Sequence, residues 1–503
     1  MSFIYNNLAA ICAAFAASTL AWIFGGLRSA VLMQVAPWLL VIVAQVIIFF
    51  PQRHENESTY DARLRVWDSL KADPVVWLVV GFMVLLTIPF VNTALCPVCD
   101  YALIAEGAKS EPLISFLPFC VDVYDHYSVF LWFASAFSVM IAVRHSLVRR
   151  GKILFLKMIV WNGAALAVLG FLQAATKADG PLWMVGSDGM PLRSFFSSFG
   201  YTNDAGDYFT TLFCIAVGLW RWQFDEARAL AKERDTTGPS HHGQFWKKNL
   251  FLVPAGLFYF AALNTLSRAA ILMITMLAVV FFLHTFVVFL ARIDKVKRVK
   301  RGALSLLILG LIAGASAIFM PDNMQKEIDT LDTYTVLNRV TGKTERHVTV
   351  ANQLWADYRI FGCGGWGYKH LSFTKMDEKD YRRFVGKGSA NVHNDFLQFL
   401  VEHGVVGVSL LVVIFCFLLW PITSVWKKLV MAVRFIKPRE QPPRPVQIFV
   451  IPAPIFCIFA GAVATIIHSS YDCPLRSPAI LTLFFAALAA MPAFLPKLTI
   501  NKE

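Results

Sequence analysis

Charge is scarce in this chain. Asp, Glu, Lys and Arg make up only 16% of its 503 residues, against about 25% in an ordinary soluble protein. A water-exposed surface of this size needs more. Cysteine is also thin, 9 in the whole length, which excludes a small secreted scaffold stapled by disulfides. No Gly-Lys-Ser/Thr follows the glycine-rich run at 362–367, so that run is not a phosphate loop for a nucleotide. No internal repeat of the kind that builds many transporters is evident. What is abundant is apolar: 57% of the residues are hydrophobic and 14% aromatic. Disorder is excluded by the same figures, and a polytopic membrane protein remains. The net charge of +13 then reports topology, not affinity for nucleic acid.

A bilayer core of ~30 Å takes about 20 apolar residues per helix. Twelve segments qualify, at 8–25, 30–50, 75–93, 127–143, 153–175, 205–220, 250–266, 269–291, 303–320, 404–420, 448–467 and 477–495. The expected fold class is all-α, a polytopic membrane protein of about 12 transmembrane helices with one large, partly helical external loop. The first segment lacks a small-residue cleavage site and reads as a retained span.

Lys and Arg crowd one set of loops, as in Arg144, Arg149, Arg150 and Lys152, or Arg292, Lys295, Lys297 and Arg298. The short loops of the other set hold only Arg28, Lys109, Lys177, Arg193, Arg268 and Arg476. The basic set is expected in the cytoplasm, with both termini. Loop 321–403 then lies outside. No cytoplasmic loop exceeds about 30 residues, too few for a nucleotide-binding domain of ~100 or more. Chemistry is therefore expected on the external face, where nucleotide sugars are not available. Few ionisable residues sit in mid-span. Lys157 is one, near a cytoplasmic end, where its stem can snorkel.

The external loops carry the candidate residues. Cys96, Cys99 and Cys120 share one loop. A structural disulfide among them is the favoured reading, ahead of free thiols and then of a catalytic redox pair. Cys363 and Cys473 are also external and available for pairing. Zinc would need four ligands, which this spacing does not supply. The run from Arg193 to Asp204 ends at a helix start, with Asn203 or Asp204 as N-cap. Arg193 there either anchors at headgroups or meets an anionic ligand. Arg268 lies in the near-absent loop between two spans and needs a counterion, a lipid phosphate or a phosphorylated substrate.

In the large loop, Val348, Ala351, Leu354, Trp355 and Tyr358 mark an amphipathic helix. A flexible turn follows at 359–367. Phe396, Leu397, Leu400 and Val401 form an apolar stripe that Asn391 can cap, and Gly404 either ends this helix or joins it to the next span. His393 falls in its first turn. A neutral imidazole there, beside an anion-binding face, can accept a proton; the plainer alternative is a surface histidine. The last external turn, His468 to Pro478, is made rigid by two prolines, and its Asp472 and Arg476 either pair with each other or serve a ligand.

These pieces, in this order, resemble the O-antigen ligase and O-antigen polymerase superfamily. His393-Asn394-Asp395-Phe-Leu-Gln-Phe-Leu-Val-Glu402-His403-Gly404-Val-Val-Gly407 is similar to the family's His-Asn-x-x-Leu-x-x-x-x-Glu-x-Gly-x-x-Gly segment. Gly362-Cys-Gly364, Ser267-Arg268, the run from Arg193 to Asn203, and the run from His468 to Pro478 resemble its other elements. Tyr-Thr-Asn203-Asp departs from the Asn-Pro-Asn of many members. The resemblance covers about 193–478; residues 1–192 match only in being hydrophobic, and 479–503 hold the last span and tail.

The resemblance implies glycan transfer on the periplasmic side of a bacterial inner membrane. The donor would be a sugar chain on undecaprenyl pyrophosphate, and the acceptor another lipid-linked glycan in a polymerase or lipid A core in a ligase. It implies Arg193 and Arg268 on the pyrophosphate and His393 as general base, with Asn203, Asn394, Asp472 and Arg476 as substrate-binding candidates. No cofactor, metal or nucleic acid is expected, and membrane lipids surround the chain. The terminal Asp472-to-Arg476 element tilts the reading toward polymerase. The alternative of another class is a transporter or flippase of lipid-linked oligosaccharides.

Overall fold

A computed structural model describes residues 2–23, 25, 31–93, 112–114, 116–184, 195–233, 249–291, 344–376, 391–434 and 451–495. Fourteen α-helices run through them. They are α1 (Ser2–Trp22), α2 (Val31–Phe49), α3 (Thr59–Ala72), α4 (Pro74–Thr87), α5 (Val123–Ile141), α6 (Arg149–Ala175) and α7 (Thr202–Glu233). There follow α8 (Leu252–Asn264), α9 (Arg268–Ala291), α10 (Thr344–Asp357), α11 (Gly367–Leu371), α12 (Asp395–Arg434), α13 (Ala453–His468) and α14 (Pro478–Ala490). No strand occurs among the described residues. The all-helical expectation holds, with several helices apolar enough for a membrane. Val123–Ser146, Arg149–Ala175, Arg268–Phe286 and Asp395–Trp420 are long and apolar enough to cross one. The expected ninth span, 303–320, lies outside the described residues.

Apolar sequence determines where each helix sits. Every residue of α14 is buried, as an all-round apolar helix demands. It is the axis of the bundle and touches α1, α5, α6, α7, α12 and α13. Helices α7 and α13 approach closely because small residues face each other. A Cβ on Gly218 would lie 2.9 Å from Pro454 Cα, and one on Gly461 would lie 3.1 Å from Cys214 Cβ. Such contacts are the usual packing device between apolar helices in lipid.

One segment expected as loop is a helix. The stretch before the third span forms α3, capped by Ser58, whose hydroxyl accepts from the Asp61 N–H at 3.0 Å. It meets α4 at a 68° bend. Asp73 makes the corner: it accepts from the Val75 N–H at 3.0 Å and pairs with Arg144 at 2.5 Å.

Among the described residues, the loops fall into two groups at opposite ends of the bundle. At one end Gln52 donates its N–H to Ser146 O at 3.0 Å, and Arg149 reaches Ala493 O at 2.8 Å. At the other, Ser198 bonds Ala21 O at 2.5 Å and Ser477 bonds Gly25 O at 3.1 Å. This second end also holds α10, α11 and the start of α12.

Candidate active site

Three turns converge at that second end: the one entering α7, the one entering α12, and the one joining α13 to α14. Asp472, only 4% exposed, lies where they meet. Its Oδ1 accepts from its neighbour, the Cys473 N–H, at 2.9 Å and faces His393 Nδ1 at 3.2 Å. Its Oδ2 accepts from the Tyr201 hydroxyl at 3.2 Å and from the Asn203 amide. Burial pushes the Asp472 carboxyl up, but the hydrogen bond with His393, the charges of His468 and His393, and the Asn203 amide outweigh it. The carboxyl ends below its ordinary range. Burial and the Asp472 charge push the Tyr201 phenol up.

His393 owes its direction to the local backbone. It does not lie in the first turn of α12 as expected. It precedes the helix with φ of 57°, a left-handed conformation. The cap is Asn394, not Asn391: its Oδ1 accepts from the Leu397 N–H at 3.0 Å. The same side chain donates to Ser470 O at 3.0 Å. Asp395 adds two ties, its N–H to Ser469 O at 2.8 Å and its carboxylate to the Leu475 N–H at 2.9 Å. The entrance of α12 is thus bolted to the 469–475 turn, and His393 meets Asp472. The His393 side chain is 46% exposed against 6% for Asp472. A carboxylate on Nδ1 selects the tautomer with its proton there, which leaves Nε2 as the basic nitrogen.

The turn expected to be flexible is pinned. Gly404 breaks α12 with φ of 61° and ψ of −175°. A break frees carbonyls before it and N–H groups after it. The 359–364 segment takes them up: Cys363 and Gly364 donate to Val401 O and Glu402 O, each at 2.9 Å. In return, the N–H groups of Val405 and Val406 donate to Arg359 O at 2.9 Å and Ile360 O at 3.1 Å. Gly404 therefore joins the first segment of the helix to the span, as one of the two expected readings has it, but across a kink; it is also a clasp between two motifs.

Asp472 and Arg476 do not pair with each other. Arg476 is 3% exposed and donates through Nη1 to Glu402 at 2.7 Å. Its guanidinium lies 4.1 Å from the centroid of the Trp366 ring. Gln398 steadies Glu402 at 3.0 Å and accepts from the Val392 N–H at 2.9 Å. Arg476 is thus held within the wall of the site.

Arg268 opens α9, just after the left-handed Leu266. This tight corner packs on α7 at Gly206, where a Cβ would lie 2.4 Å from Ala270 Cβ and 3.2 Å from Thr265 Oγ1. Gly206 stands one turn beyond Asn203, so the Arg268 corner and the Asp472 cluster share the start of α7. That helix begins at Thr202; Asn203 and Asp204 occupy its first turn instead of capping it. Arg193, Cys96 and Cys99 lie outside the described residues.

Of the cysteines named for disulfides, Cys120 does not take part in one, nor do Cys363 and Cys473. Cys120, Cys363 and Cys473 are free and buried. Cys120 Sγ points at Pro89 O at 3.4 Å and Cys363 Sγ at Val401 O at 3.3 Å. Burial pushes the Cys120 thiol up to about 12.

Sequence reasoning missed Tyr201, Asp207 and Trp366. Asp207 carried a signal: it lies inside the expected span 205–220, and an acid within a span is a functional candidate by default. Tyr201 and Trp366 carried none, because their partners are remote along the chain.

Among the described residues, two groups of side chains have the donor types for a metal ion. His393, Asp472 and Cys473 bring their ligand atoms within 4.8 Å of one another, as do Asp122, Asp125 and His370. In the second group Lys369 already occupies Asp125 at 2.6 Å.

A buried carboxylate orienting a half-exposed imidazole, beside a corner that carries an arginine, is suited to proton removal next to an anion. No match was found among curated proteins. Residues 253–412, which hold Arg268, the clasp, His393 and Glu402, match the family model described as O-antigen ligase, and that match bears out the resemblance to the O-antigen ligase and polymerase superfamily.

Proposed function

We propose that this protein transfers or polymerises glycan from undecaprenyl-pyrophosphate-linked donors at the periplasmic face of a bacterial inner membrane. The observation that carries the reading is the His393–Asp472 pair, at 3.2 Å, in a chain whose residues 253–412 match the O-antigen ligase family. His393 takes the proton of the acceptor hydroxyl through Nε2. The hydroxyl oxygen forms a bond to the anomeric carbon. The bond from that carbon to the pyrophosphate oxygen breaks, and its electron pair leaves with the pyrophosphate. Direct displacement inverts the anomeric centre. Arg268 and Arg193 bind the pyrophosphate, since guanidinium groups match phosphate oxygens with paired hydrogen bonds. They also stabilise the charge that grows on it.

Asp472 acts through His393 as a positioning residue, with Asn203 and Tyr201 holding the carboxylate. Arg476 shapes the wall through Glu402 and Trp366. Asn394 fixes the turn that presents His393. A lipid-linked donor brings its own leaving group, which agrees with the absence of a nucleotide loop in the sequence. The flippase alternative gains nothing from this geometry, because transport needs no base.

The test is the product formed by purified protein in vesicles carrying a lipid-linked oligosaccharide. A lengthened lipid-bound chain identifies a polymerase; transfer to added lipid A core identifies a ligase. His393→Ala is expected to lower the rate at least ~10²-fold, and Arg268→Ala about 10²–10³-fold. Near-normal transfer by both variants would overturn the assignment, and relocation of unaltered donor would favour the flippase.

A further inference from the structure

Beneath Asp472 the bundle holds a second imidazole and a second carboxylate that the reaction above does not use. His468 ends α13 and Asp207 sits in α7, each side chain 1% exposed. Polar groups in such apolar surroundings persist only when satisfied or needed. Asp207 is satisfied: Oδ1 meets His468 Nδ1 at 3.1 Å and Oδ2 accepts from Thr465 at 2.9 Å. Thr465 in turn meets Thr211 at 3.2 Å. His468 is not. Its Nε2 is buried without a hydrogen-bond partner and stands 3.9 Å from Asp472 Oδ2.

Four groups therefore alternate in a row, Asp207, His468, Asp472 and His393, with contacts of 3.1, 3.9 and 3.2 Å. A pair that merely filled the bundle would need only the Nδ1 contact, and could turn a carbon edge toward the site. Here the ring turns its other nitrogen to the oxygen of Asp472 that His393 does not use. Fixing Nδ1 on Asp207 sets the plane of the ring, and the plane aims Nε2.

We infer that His468 is a positioning residue for glycan transfer, which relays the fixed placement of Asp207 to Asp472 and so holds the carboxylate in line with His393. The inference rests on the proposed role of His393. Catalytic hydrogen bonds are often long in the unliganded state and tighten in the complex, and the 3.9 Å gap is the one contact in the row with room to close. Loss of the relay should slow the chemical step and leave donor binding alone, because neither His468 nor Asp207 reaches the surface.

The experiment compares two replacements that each keep one nitrogen. Asparagine at 468 reproduces the Nδ1 position and can still serve Asp207. Glutamine reproduces the Nε2 position and can still reach Asp472. Both are measured for kcat and KM in the vesicle assay, with thermal unfolding as a check on the fold and His393→Ala alongside. The expected result is kcat lowered about 10²-fold in His468→Asn, KM unchanged, and partial recovery in His468→Gln, which keeps the reach to Asp472 without the anchor on Asp207. Recovery by asparagine and not glutamine would overturn the inference, since His468 would then only brace Asp207. So would wild-type rates in both variants beside an inactive His393→Ala, an outcome that leaves the base assignment standing. Full activity in His393→Ala would overturn both.

Discussion

Replacing Gly404 with alanine tests the clasp that joins the 359–364 turn to α12. The backbone there has φ of 61° and ψ of −175°, a region open in practice only to glycine. Holding another residue in it costs about 1–3 kcal/mol. The added Cβ would lie 2.2 Å from Ile360 O and 2.5 Å from Phe361 N. Both are backbone atoms, and the chain there is fixed by the bonds from Val405 and Val406. Relief means giving up those two bonds, at about 0.5–1.5 kcal/mol each. The expected loss is therefore about 2–6 kcal/mol. The control is Gly256→Ala in α8, where a Cβ meets nothing within 4 Å and alanine should gain about 0.5–1 kcal/mol. Both variants are unfolded thermally in the same detergent at the same scan rate. Gly404→Ala should unfold well below wild type, and Gly256→Ala at or above it. Equal unfolding of the two variants would refute the reasoning.

Four further outcomes are expected. Glu402→Gln leaves the Arg476 guanidinium buried without its carboxylate and should cost about 3–5 kcal/mol, whereas Asp357→Asn, at the half-exposed Lys375 pair, should cost less than about 1 kcal/mol; unfolding temperatures compare them. Cys120, Cys363 and Cys473 should each take up iodoacetamide after unfolding without reductant, as read by peptide mass spectrometry. Asp472→Asn should lower kcat at least ~10²-fold. Because the Asp472 carboxyl is depressed in the folded state, its stabilising contribution is full above the unfolded value near pH 4 and lost as pH falls through the folded one. Acid should therefore destabilise Asp472→Asn less steeply than wild type, measured from the change in unfolding temperature between neutral and acid pH.

The helices were legible because burial in an apolar bundle demands unbroken apolar runs, and α6 and α14 show such runs plainly. The 53–74 segment misled because α3 is amphipathic and too polar to read as a span. His393, Asp472 and Arg268 stood out as polar groups at the ends of apolar segments. Their partners did not. The bonds that fix Asp472 join residues 201, 203, 393 and 472, and periodicity along the chain says nothing about which turns meet. Gly404 was visible as a glycine, but its role depends on donors and acceptors supplied by 359–364. Asp207 was legible and overlooked: a lone acid in an expected span points to a buried partner, and His468 is that partner.

The clasp also limits how this protein can be rebuilt. Four main-chain bonds tie 359–364 to 401–406, so that turn and the long helix are one mechanical part. A chimera that imports the turn from another sequence while keeping the native helix would mate mismatched halves. Grafts that exchange this region should cut outside both segments and carry them together.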